Sequence, residues 1–238
     1  MKSPRRRLLG RSLSGLLGIV AVLPALVVAA PAQAEAAPTG IEFAYVAGSV
    51  PRAGELDELQ AALFSPPDGV PGRVIALFAR TAGSDQWAQV AAGTTDSSGS
   101  ALLHFRLEYT SILQFRFAGD AEYAGARTDP FVWRIAPRLS ARLAHRPVVH
   151  GHRAVVLGRS APAKPGQRVV LWSGRRPDPL AAPGPAPVRL GTAIVRRDGS
   201  YRIVHVFRSA GFRRLFVSVA AGGGNTVGYS NYVRVSVR

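Results

Sequence analysis

The chain has 238 residues, 47% of them hydrophobic, no cysteine and a formal net charge of +16. That length accommodates one large or two small domains with a buried core, and the apolar share argues against wholesale disorder. The missing cysteine excludes disulfides, thiolate metal sites, cysteine nucleophiles and the lipid-modified cysteine of a lipoprotein. With 25 Gly and 18 Pro, turns and short strands are favoured over long helices. The bases are almost all arginine, Lys2 and Lys164 being the lysines, a bias that a G+C-rich coding sequence explains without any function.

Residues 1–34 read as an export signal. Lys2, Arg5, Arg6, Arg7 and Arg11 open the chain without an acid, an uncharged and mostly apolar stretch follows from Ser12 to Ala30, and Ala32-Gln33-Ala34 offers small residues for a signal peptidase. Arg5-Arg6-Arg7-Leu8-Leu9 resembles the twin-arginine export motif. The stretch is just long enough to span a bilayer as an uncleaved anchor, but Pro24 and the cleavage site argue for removal near Ala34. With Val235-Ser236-Val237-Arg238 as its last residues, the chain is not expected to carry a wall-sorting signal or hydrophobic tail. The expected product is soluble and either extracellular or associated with the cell wall.

Beyond Ala34 a unit of about 100 residues occurs twice. Thr95-Asp96-Ser97-Ser98-Gly99-Ser100 ahead of Ala101-Leu102-Leu103 returns as Arg197-Asp198-Gly199-Ser200 ahead of Tyr201-Arg202-Ile203. Pro71-Gly72-Arg73-Val74 returns around Pro165-Gly166, Leu113–Phe117 is matched with Arg214–Ser218, and Thr128-Asp129 with Ser230-Asn231. The division is placed near Pro137, giving residues 35–136 and 137–238. Runs such as Leu113/Phe115/Phe117 and Val233/Val235/Val237 alternate with polar residues, the period of a strand with one buried face. Asp96–Gly99 and Asp198-Gly199 are turn chemistry. Six or seven such strands per repeat predict an all-β chain of two tandem two-sheet sandwiches. Glu55–Phe64 (ELDELQAALF) fits either the second strand or a short helix, with Leu56, Leu59 and Leu63 as its apolar stripe. Pro177–Pro187 has no period and is expected to be an exposed loop.

These motifs resemble the bacterial immunoglobulin-like repeat domains of secreted actinobacterial proteins. The likeness rests on the Thr95–Ser100 turn before a strand, on Phe117-Ala118-Gly119-Asp120-Ala121-Glu122-Tyr123, and on the closing V-x-V-x-V strand, over about residues 39–238. Transthyretin-like and Cna-B-like modules share the pattern. The resemblance implies spacer, adhesion or binding roles and carries no catalytic residues. Cna-B-like modules often hold a lysine isopeptide crosslink; here Lys164 lies in a turn, which speaks against one.

No active site or cofactor is expected. The second repeat has only Asp178 and Asp198 as acids, so an acid pair for glycoside hydrolysis is missing, and neither a G-x-S-x-G nor a phosphate-cradling loop occurs. Gly222-Gly223-Gly224 reads as a flexible turn. His150 and His152 would need His145 or His205 brought close to hold zinc. Trp87, Trp133 and Trp172 could form a sugar-stacking platform, although sandwich cores use tryptophan more often.

Charge is divided between the repeats. Residues 35–136 hold 12 acids and 7 arginines, a net of −5, whereas residues 137–238 hold 2 acids and 18 bases, a net of +16. Such a domain attracts polyanions over a Debye length of about 8 Å in physiological salt. Arg168, Arg213, Arg214, Arg234 and Arg238 fall on the third, sixth and seventh strands of the second repeat, neighbours in one sheet of such a sandwich, and are the expected basic face. The expectation is a non-enzymatic secreted module whose second domain contacts anionic wall polymer or lipid headgroups. The alternative is a passive spacer or a module that binds another secreted protein. Nucleic acid meets the same electrostatics, but export and the scatter of the arginines disfavour it.

Overall fold

The computed structural model describes residues 35–44, 50–177 and 184–238. The export signal and residues 178–183 of the proline-rich segment lie outside the described residues. Among the described residues every regular element is a strand: β1 (Gly40–Ala44), β2 (Leu56–Ser65), β3 (Asp68–Gly69), β4 (Val74–Thr81), β5 (Ala88–Thr94), β6 (Ser100–Arg106), β7 (Ser111–Phe117), β8 (Ala126–Arg127) and β9 (Phe131–Trp133), then β10 (Arg138–Leu143), β11 (Arg153–Ala161), β12 (Arg168–Ser173), β13 (Val188–Ile194), β14 (Ser200–Val206), β15 (Gly211–Val219), β16 (Gly228–Tyr229) and β17 (Val233–Val237).

Both repeats form the same two sheets. In the first, β1-β2-β6 faces β5-β4-β7-β9, with β3 and β8 as short additions to β2 and β7. In the second, β10-β11-β14 faces β13-β12-β15-β17, with β16 on β15. All these pairings are antiparallel. Each sandwich has its own core. Leu59, Leu63, Ile75, Leu77, Leu103, Leu113 and Phe115 fill the first. Val156, Val169, Leu171, Tyr201, Ile203, Leu215 and Val217 fill the second.

The duplication extends to irregular details. The register slips between Leu77 and Phe78 against β5, and likewise between Leu171 and Trp172 against β13. The extra residue is Val90 in one edge strand and Leu190 in the other, and both pack against their core, so the bulge turns an apolar side chain inward at an edge. Thr128 Oγ1 accepts the Phe115 N–H at 3.1 Å, as Ser230 Oγ accepts that of Val217 at 2.9 Å. Gly99 and Gly199 close the same turn at φ 81° and 80°. A Cβ there would lie 2.5 Å from the Leu63 carbonyl oxygen or 2.7 Å from that of Ser160, so only glycine fits.

Glu55–Phe64 contains strand β2, not a helix: Leu59, Ala61 and Leu63 are buried, and Leu59 and Ala61 face Leu103 and Ala101 across the sheet. Cross-strand packing outweighs the helix propensity of Glu, Gln and Ala. The match of Leu113–Phe117 with Arg214–Ser218 is off by one. Leu77 pairs with Phe115 and Leu171 with Val217, so Leu113 corresponds to Leu215, and the slip would have turned every side chain to the wrong face.

The two cores meet at a hydrogen-bonded seam, and Glu35–Arg238 packs as one compact unit. The Thr110 N–H donates to the Gly224 carbonyl at 2.7 Å and the Thr226 N–H to that of Ile135 at 2.9 Å. Asn225 Nδ2 donates to the carbonyls of Glu108 and Ile135. Lys164 Nζ, from the second repeat, donates to the carbonyls of Gly222 and Gly223 and sits 5.7 Å from the Tyr109 ring centre. Gly222–Gly224 is thus a turn held against the first sandwich.

Candidate functional site

Alternation along β10, β11 and β14 sends one set of side chains into the core and the other to solvent. The solvent set includes Arg138, Arg142, Arg153, Arg159 and Arg202, all exposed. The register arranges them in rows. Arg142 lies opposite Leu157, which lies opposite Arg202; Ser140 lies opposite Arg159, which lies opposite Ser200. With neighbouring strands about 4.8 Å apart, Arg142 and Arg202 flank Leu157 on either side, and Arg159 stands two residues further along β11 on the same face. They line a shallow cavity of about 390 Å³ together with Leu157, Arg196 and Asp198.

Little negative charge offsets them. Arg159 reaches Asp198 at 4.0 Å, both side chains being well exposed, a geometry of small energetic consequence. None of the other ion pairs among the described residues involves an arginine of this face. Asp198 is held below the usual carboxylate range by the Ser200 N–H and hydroxyl, with help from Arg159, so it stays ionised at neutral pH. Beneath the face, burial raises the Tyr201 hydroxyl well above the usual phenol range, and it donates to the Ser140 carbonyl. A Cβ at Gly158, directly opposite Tyr201, would lie 2.3 Å from that ring. Gly158 therefore makes room for an aromatic that ties all three strands together.

The arginines singled out from sequence lie elsewhere and do not form one cluster. Arg214 and Arg234 are direct cross-strand partners. Arg168 begins β12, toward the far end of the same sheet, and Arg238 follows β17 on the other side. Arg213 is on the core side of the alternation and bends back to the Ser209 hydroxyl at 2.9 Å. The pair is joined by Arg176: the guanidinium groups of Arg214 and Arg176 lie 3.6 and 4.4 Å from the Tyr232 ring centre. Burial acts to raise the Tyr232 hydroxyl, but the Arg176 N–H it accepts and these two charges outweigh that, leaving it below the usual range. The denser cluster of Arg142, Arg159 and Arg202 escaped the sequence reading, although Arg138/Arg142 and Arg153/Arg159 are legible as outward positions of alternating strands.

The other candidates separate. Trp133 is a core residue whose Nε1 donates to Asp57 at 2.8 Å. Trp87 and Trp172 are half-buried residues of different sandwiches. His150 and His205 each contact a main-chain carbonyl, of Arg238 and Leu190. Among the described residues no three of His, Asp or Glu gather as a metal site would require.

No family model matches the chain, and no curated protein matches it. Solved structures similar to it include a red sea bream transglutaminase at 13% identity and TM-score 0.39, covering 83% of this chain and 31% of that one. Invasin, a bacterial integrin-binding protein, is similar at 10% identity and TM-score 0.36, covering 83% and 39%. A C-terminal 282-residue fragment of intimin is similar at 9% identity and TM-score 0.37, covering 83% and 64%. The chain spans less than two thirds of each of these. The fold class comes from the strand order itself. Three strands, the first, second and fifth principal ones, face a sheet of the third, sixth and seventh, with the fourth on the latter. That is the arrangement of tandem immunoglobulin-like β-sandwiches.

Proposed function

We propose that the chain is a secreted, non-enzymatic binding module of the cell envelope, of the kind found as repeats in secreted actinobacterial proteins. In this reading the outward face of β10-β11-β14 holds an anionic polymer. The observation that carries it is a substitution between the two copies. Pairing registers make Ala44, Ala62 and Leu102 the counterparts of Arg142, Arg159 and Arg202. One fold and one coding bias thus give apolar side chains at these three positions in the first sandwich, beside Glu42, Glu58 and Gln60, and arginines in the second. Arginine's planar fork suits phosphate and carboxylate oxygens, and Leu157 offers an apolar contact at the centre. Export places wall polymers and anionic headgroups within reach; a repeating polyanion best matches a row of charges.

The test is retention of the whole chain on immobilised poly(glycerol phosphate) over a sodium chloride gradient. Binding should weaken steeply with salt, because neutralising polymer charge releases counterions. The triple variant Arg142→Ala/Arg159→Ala/Arg202→Ala should elute earlier and with a shallower salt dependence. Unchanged elution of the triple variant, or retention indifferent to salt, would overturn the proposal. A second reading, a stiff spacer or protein-binding module, is favoured by the hydrogen-bonded seam at Glu108–Thr110 and Gly224–Thr226, and predicts no polyanion affinity.

A further inference from the structure

We infer that the first sandwich carries a separate site for a small anionic amphiphile, an acyl carboxylate or phosphate monoester. The site is a groove of about 520 Å³ on the outward face of the β5-β4-β7 sheet, lined by Val74, Ala76, Phe78 and Gln89 with Arg116 and Arg127. Its volume and its mainly apolar lining with a few placed polar groups match small-molecule sites. Val74 is 55% exposed on this face, so the floor offers apolar surface to a ligand.

Two arginines line one side of this floor. Arg116 and Arg127 are direct cross-strand partners, an arrangement of like charges that is unfavourable without an anion between them. Arg116 is preorganised. Its guanidinium carbon lies 4.3 Å from the Phe78 ring centre and 4.9 Å from that of Trp87. Its Nε donates to Gln114 Oε1 at 2.8 Å, and Gln114 Nε2 donates in turn to the Thr128 carbonyl at 2.8 Å. That chain fixes the plane of the guanidinium and occupies Nε. None of the ion pairs among the described residues involves Arg116 or Arg127. In an otherwise acidic sandwich, two arginines beside an apolar floor select a ligand with one anionic head and one apolar body.

The experiment titrates the whole chain with decanoate, decanol and acetate by calorimetry, with Trp87 fluorescence as a second readout. Decanoate is expected to bind saturably, decanol about tenfold more weakly, since an ionised acceptor strengthens each hydrogen bond, and acetate not measurably. Arg127→Gln, at an exposed position, should lower decanoate affinity several-fold, and Ala76→Phe should block it by filling the floor. The triple variant Arg142→Ala/Arg159→Ala/Arg202→Ala should bind decanoate unchanged, which separates this site from the polymer face. Equal affinity for decanoate and decanol would overturn the role of the arginines. Absent saturation, insensitivity to Ala76→Phe, or loss in the triple variant would overturn the site.

Discussion

The two sandwiches share strand order, edge bulge, glycine turn and buried hydroxyl, yet they fill their cores and dress their surfaces differently. In the first, bulk comes from the third-sixth-seventh strand sheet: Phe115 is fully buried beside Phe43 and Phe131, while the other sheet contributes the small core residue Ala101. In the second, Val217 stands where Phe115 does, and Tyr201 where Ala101 does. The large side chain is on opposite sheets in the two copies, and both Phe115 and Tyr201 are fully buried. Core positions therefore tolerate exchange at constant volume, whereas the turn and hydroxyl positions keep their chemistry because backbone groups depend on them.

That contrast predicts where each half breaks. Phe115→Ala should cost about 3–5 kcal/mol in the first sandwich and Tyr201→Ala a similar amount in the second. Urea unfolding followed through Trp133 for the first and Trp172 for the second, in single-tryptophan backgrounds, should show each loss in its own half. Equal loss at both probes would mean that the seam makes one cooperative unit. The shared hydroxyl should matter equally in both copies: Thr128→Val and Ser230→Ala each leave a buried strand N–H unpaired, costing about 1–3 kcal/mol.

A surface transplant sharpens the comparison. Ala44→Arg, Ala62→Arg and Leu102→Arg together should give a first sandwich with the arginine arrangement of the second. Combined with the Arg142→Ala/Arg159→Ala/Arg202→Ala background, the graft should restore part of the salt-sensitive retention on poly(glycerol phosphate), by roughly tenfold in affinity at low salt. No recovery would mean that net charge, not the placement of three guanidinium groups, governs binding.

The sheets, the duplication and the turns could be read from alternation and from the Asp-Gly and Pro-Gly motifs, because burial of one face imposes a period of two. Finer register could not. Leu215-Phe216-Val217 is buried throughout, since the outward Phe216 is covered by aromatic contacts with Trp172, Tyr229 and Tyr232, and three buried residues in a row erase the alternation. The bulges at Val90 and Leu190 leave no local mark either. For the site, charge pointed to the second repeat but not to a sheet. Arg142, Arg159 and Arg202 come together only because β11 pairs with both β10 and β14, which puts side chains 60 residues apart in the chain on one face.

Titration should separate the halves by the smallest effect. In the first sandwich Asp96 is held below the usual carboxylate range by the Ser98 hydroxyl and the Ser100 and Ser98 N–H groups. Asp120 is held there by the N–H groups of Glu122 and Tyr123 and by Arg73. In the second, Asp198 alone among the described residues is lowered in this way, since Ala220-Ala221-Gly222 replaces the Asp120 turn. A carboxyl with a depressed folded value contributes stability above its unfolded value near 4, and that contribution is lost as pH falls through the folded value. Below about pH 4 the first sandwich should therefore lose stability with the steeper slope, and Asp120→Asn should make that slope shallower. Tyr201 has the opposite linkage: its folded value is raised by burial, so its contribution is complete below the unfolded value near 10 and declines as pH rises beyond it. Alkali should then weaken the second sandwich first, and Tyr201→Phe should flatten that decline while leaving the acid limb of the first unchanged.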